Sequence, residues 1–76
     1  MKKEKGIVIN INRHKNIGFI REEGTDEKIF FHQNGVIGPG FNELKEGHQV
    51  EYMKVKYQRN GEEHIKAIGV EVVFSL

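Results

Sequence analysis

Apolar residues in this chain recur at every second position in five short runs, and no window sustains the three-and-four spacing of an amphipathic helix. Gly6-Ile7-Val8-Ile9-Asn10-Ile11-Asn12 sets Ile7, Ile9 and Ile11 against Val8, Asn10 and Asn12, a β-branched, period-two pattern that predicts a first strand. Ile17 to Arg21 and Lys28 to His32 predict a second and a third, joined into a hairpin by Glu22-Glu23-Gly24-Thr25-Asp26. Val50 to Tyr57 and His64 to Val73 predict the last two, with the Asn60-Gly61 pair of a tight hairpin between them. Gln33 to Gly47 carries Gly35, Gly38, Pro39, Gly40 and Gly47 without periodicity, so it reads as a long connection between two parts of a sheet. Three strands, a crossing and two more predict an all-β fold: a small five-stranded antiparallel Greek-key barrel, whose closure removes exposed edges.

The 76 residues make one domain, 1–76, with its core between about 6 and 73. A chain of this size buries only about 60% of the surface it exposes when unfolded, so every core side chain matters. With no cysteine, neither disulfides nor thiolate metal sites can supplement that core. Met1-Lys2-Lys3-Glu4-Lys5 does not lead into a signal-peptide apolar run, and no segment approaches the roughly 20 apolar residues of a membrane helix. The expectation is a soluble, cytoplasmic protein without a membrane partner. A net charge of +1, from 12 Lys plus Arg against 11 Asp plus Glu, argues against a protein held on duplex DNA by charge alone. The charges are segregated, however: Lys2, Lys3, Lys5, Arg13 and Lys15 precede an acidic cluster of Glu22, Glu23, Asp26 and Glu27 that reads as a solvated turn.

Adjacent Phe30 and Phe31 must point to opposite faces of their strand. Lys28 and His32 share a face with Phe30, and Arg21 shares one with Ile17 and Phe19. Burying unpaired cations is costly, so these faces look to water while Ile20, Ile29 and Phe31 go inward. Phe19, Phe30 and Ile17 then lie outside, bordered by cations. Such a surface suits single-stranded nucleic acid, whose bases stack on rings while Arg and Lys follow the phosphates. It equally suits an interface with another protein, and the pattern alone leaves both open.

Lys15-Asn16-Ile17-Gly18-Phe19-Ile20 and Ile29-Phe30-Phe31-His32 resemble the paired ribonucleoprotein motifs of the bacterial cold-shock domain family, Lys-Gly-Phe-Gly-Phe-Ile and Val-Phe-Val-His-Phe. Gly6-Ile7-Val8, Asn12, Gly40-Phe41, Leu44, Glu46-Gly47 and Val50 extend the likeness over about Gly6 to Val70. The resemblance implies an OB-fold barrel that binds single-stranded RNA or DNA, in a role like that of an RNA chaperone. It implies stacking by Phe19, Phe30 and His32, a further ring from Phe41 in the loop, and a basic contact from Lys15; Arg13, Arg21 and Lys28 are secondary candidates. Asn10, Ile11, Ile17 and Gln33 stand where the family has aromatic residues. Asn10 and Gln33 can hydrogen-bond base edges but cannot stack, and Ile17 offers only apolar contact. Two uses of such a surface follow: a single-strand binder with a reduced stacking area, favoured because the retained rings and Lys15 form a coherent set, or a protein-binding barrel with Ile17, Phe19 and Phe30 at its interface.

Other chemistry has little to stand on. His14, His32, His48 and His64 lack metal-ligand spacing, so no metal and no cofactor are expected. Gly35-x-x-Gly38-Pro39-Gly40 has no helix after it to hold a phosphate. Ser75 is the only serine and there is no thiol, so no enzyme is expected. The apolar tail Val70, Val72, Phe74, Leu76 could complete the barrel of a monomer or pair two copies along an edge.

Overall fold

In the computed structural model, which describes residues 2–38 and 40–73, the five runs form β1 (Glu4–Asn12), β2 (Ile17–Glu22), β3 (Lys28–His32), β4 (Gln49–Arg59) and β5 (Glu62–Val72). They close into a ring in the order β1-β2-β3-β5-β4. Each neighbouring pair is antiparallel except the seam between β3 and β5, which is parallel, with Phe30 opposite Lys66. An odd number of strands cannot alternate direction all the way round, so one seam must differ from the antiparallel expectation. The arrangement is that of an OB-type barrel. Phe74 to Leu76, half of the proposed edge-pairing tail, and Pro39 lie outside the described residues.

Among the described residues, ten apolar side chains fill the interior: Val8, Ile20, Ile29, Phe31, Phe41, Leu44, Val50, Tyr52, Ala67 and Val70. Ile20, Ile29 and Phe31 point inward as the charge argument required. The simple alternation expected for β1 fails, because a bulge at Ile9 shifts the register: Val8 pairs with Ile20, but Asn10 pairs with Phe19 and Ile11 with Gly18. One extra residue changes the strand's phase. Val8 and Ile11 therefore both face the core, and Asn10 is turned outward onto the face that carries Phe19.

The connection between β3 and β4 plugs one end of the barrel. It contains two short 3-10 turns, Gln33–Gly35 and Phe41–Glu43, and drives Phe41 and Leu44 into the core. The Arg13 guanidinium donates to the carbonyls of Phe41 and Leu44, at 3.2 and 2.5 Å, and lies 5.4 Å from the Phe41 ring centre. Glu46 accepts from the Ile11 N–H at 3.2 Å. The loop is thus pinned to the end of β1.

Glu22 is not part of a solvated tip. It ends β2, with its carboxylate accepting from the Tyr52 hydroxyl at 3.2 Å and pairing with Lys54 at 2.9 Å. Burial, then the Glu22 charge and hydrogen bond, push the Tyr52 phenol above its ordinary 10.0. The hydrogen bond to Glu22 raises Lys54 above its ordinary 10.5 against the opposing effect of burial. In both cases the folded state holds its proton longer than the unfolded chain, so stability is complete below these ordinary values and falls as pH rises past about 10. A melting series from neutral to alkaline pH should show that decline, and Tyr52→Phe should flatten it. A Tyr52→Phe curve parallel to wild type would disprove the assignment.

Candidate nucleic-acid interface

The outward side of β1, β2 and β3 is ordered in rows by the strand register. Asn12, Ile17 and His32 form one row; Asn10, Phe19, Phe30 and, across the parallel seam, Lys66 form the next; Ile7, Arg21 and Lys28 form the third. Rows are about 7 Å apart, two residues along β2 and β3, while on β1 the bulge makes the step from Asn10 to Ile7 three residues. In the middle row the Phe19 and Phe30 rings meet edge to face, 6.0 Å between centres at 65°. Both rings remain partly exposed, in contrast to Phe31 at 0%.

Gly18 makes this division of faces possible. A Cβ there would stand 2.5 Å from the Phe31 ring and 2.8 Å from the Asn10 carbonyl oxygen. Its absence lets the Phe31 ring lie directly under β2, while Phe19, one residue on, projects to the opposite side.

His32 is oriented by its own backbone surroundings. Its Nδ1 accepts from the Asn34 N–H at 3.1 Å, capping the first 3-10 turn, which places the proton of the neutral ring on Nε2. Gln33 follows with its side chain exposed and its N–H donated to the Asn16 carbonyl at 2.8 Å. Lys15 is exposed in the turn between β1 and β2, where the Asn12 side chain accepts from the N–H groups of His14 and Lys15, both at 3.0 Å. Asn12 is thereby committed to the turn. Among the described residues the ion pairs are Lys54–Glu22 and Lys56–Glu63, so Lys15, Arg21, Lys28 and Lys66 carry positive charge without a carboxylate partner.

Two expected contacts are placed elsewhere. Phe41 is 6% exposed and packs edge-on against Phe31, 6.3 Å between centres, so its ring lies in the core and apart from the strip. Arg13 spends its guanidinium on loop carbonyls. The remaining candidates, Asn10, Lys15, Ile17, Phe19, Arg21, Lys28, Phe30, His32 and Gln33, lie on one side of the barrel or on the turns at its rim. Lys66 is not legible in the sequence as a member of this row, because only the parallel seam brings it beside Phe30 and no short-range pattern announces that pairing.

A separate recess lies among Lys5, Ile7, Gln49 and Val73, but Glu22, Glu23 and Asp26 also line it. That acidic edge makes it a poor seat for phosphate. No group of three or more metal-ligating side chains occurs among the described residues, and no helix among them is long and apolar enough to cross a membrane.

Comparison with known proteins agrees with this geometry. The model of the 'Cold-shock' DNA-binding domain matches residues 4–73. The chain is 43% identical over 54 residues to the cold shock-like protein CspLB of Listeria monocytogenes, covering 71% of this chain and 80% of that one. It is 34% identical over 71 residues to the major cold shock protein CspA of Pseudomonas aeruginosa, covering 93% and 96%. The glycine-rich protein 2 of Nicotiana sylvestris is 35% identical over 66 residues, but those are only 29% of that longer protein against 87% of this chain. With the barrel, the ring-bearing outer face and a match along almost its whole length, the chain belongs to the cold-shock domain family.

Proposed function

We propose that this domain binds single-stranded RNA or DNA in the cytoplasm, without catalysis, by stacking bases on Phe19 and Phe30. His32 supplies a third flat surface, and Lys15, Arg21, Lys28 and Lys66 follow the phosphates. The observation that carries this is the middle row of the sheet: two partly exposed rings at 6.0 Å, with unpaired cations in the rows around them. Two partly exposed rings side by side offer π surface to solvent, and bases are ligands with a π face to match. Family membership supports the same class of ligand.

Asn10, Ile17 and Gln33 make the platform smaller than one with rings at all three positions. Each missing stack is worth about 1–3 kcal/mol, so binding should be weaker and more dependent on hydrogen bonds from Asn10 and Gln33 to base edges. Titration with short pyrimidine-rich and mixed oligonucleotides tests the proposal. Three or four phosphate contacts imply that log K falls with log salt at a slope of roughly −2 to −3. Absence of binding even at low salt would leave the rings as a protein interface.

A further inference from the structure

β4 and β5 outrun the barrel. The register of β4 with β1 ends at Tyr52, and β5 pairs with β3 only at Lys66, so among the described residues Lys56–Arg59 and Glu62–Ile65 pair in register only with each other. Asn60 and Gly61, at φ of 54° and 79°, close this arm in a two-residue turn. One face carries Tyr57 opposite His64, with the rings stacked 5.4 Å apart at 29°. Lys66, on the same face, holds its ammonium 5.2 Å from the Tyr57 ring centre. His64 is exposed and Tyr57 partly so. The Lys56–Glu63 ion pair belongs to the reverse face, since successive residues alternate.

Lys66 therefore stands between two aromatic pairs, beside Phe30 across the seam and over Tyr57 along the arm. We propose that the arm is a second stacking platform, receiving bases of the single strand that leaves the Phe19–Phe30 strip, with Lys66 on the phosphate between them. This rests on the function proposed above and lengthens its footprint beyond the barrel. Continuity with the strip and the interleaving of rings with a cation favour a nucleic-acid strand as the occupant. A cross-strand ring pair can also serve only to stabilise a ribbon, and the test must separate the two.

Dissociation constants of wild type, Tyr57→Ala, Tyr57→Phe and Phe30→Ala should be measured for pyrimidine-rich strands from about 4 to about 16 nucleotides, the span of OB-domain site sizes. Thermal midpoints should be recorded alongside. Tyr57→Ala is expected to weaken the longer strands roughly 5- to 150-fold and leave the shortest unchanged, while Tyr57→Phe, which keeps the ring, binds like wild type. If Tyr57→Ala binds every length like wild type while Phe30→Ala is impaired, the arm is not a platform and the barrel site stands. A loss equal at all lengths with a lowered midpoint assigns Tyr57 to the ribbon's stability and also overturns the proposal. Failure of wild type to bind any strand removes both.

Discussion

Phe31→Ala is expected to destabilise the domain by about 3–5 kcal/mol, enough to leave much of a small domain unfolded at ambient temperature. The ring is fully buried, packs against Phe41, and occupies the space under β2 that Gly18 leaves open. Removing it opens a cavity between two strands and the loop plug, and the surrounding backbone is fixed by the ring of strands and cannot collapse into the gap. Equilibrium unfolding in urea, with the midpoint and slope both recorded, checks the figure. A loss below about 1 kcal/mol would mean that Phe31 is not the centre of the core.

Phe30→Ala, one residue away, should do the reverse. Its ring is partly exposed and has one aromatic neighbour, so truncation should cost the fold only about 1 kcal/mol. Binding should suffer more: loss of one stacking surface predicts a dissociation constant higher by roughly 5- to 150-fold. The pair of variants inverts the usual expectation for adjacent phenylalanines, because stability and affinity are assigned to opposite faces of one strand. An unfolded Phe30→Ala beside an intact Phe31→Ala would show the phase to be inverted.

Much of this was legible in the residues. Lys28, Arg21 and His32 could not be buried unpaired, and that alone oriented β2 and β3 and separated Phe30 from Phe31. The Asn60-Gly61 turn and the five-strand count followed from local chemistry. What could not be read was whatever depends on distant partners. The bulge at Ile9 is fixed by the register of β1 against β2, so three isoleucines in strict alternation gave no sign that Val8 and Ile11 share the core. Phe41 lies in a glycine-punctuated loop, and only the position of Phe31 shows that its ring fills the barrel end. Arg13 stands in a basic stretch that suggested phosphate, yet two carbonyls some 30 residues away claim it. Glu22 stands beside a turn among acidic neighbours and by local pattern is indistinguishable from them, although Tyr52 and Lys54 hold it on the sheet. The Tyr57, His64 and Lys66 cluster becomes part of the surface only through the parallel seam.

The most direct test of the central claim is the ring-proton NMR spectrum of the five phenylalanines during titration with a short pyrimidine-rich strand. Stacked bases shift the resonances of the rings they cover. The geometry described here requires large shifts at Phe19 and Phe30, with Phe31 and Phe41 nearly unmoved. Saturating addition of the strand that leaves Phe19 and Phe30 in place, or that moves the two buried rings instead, would contradict it.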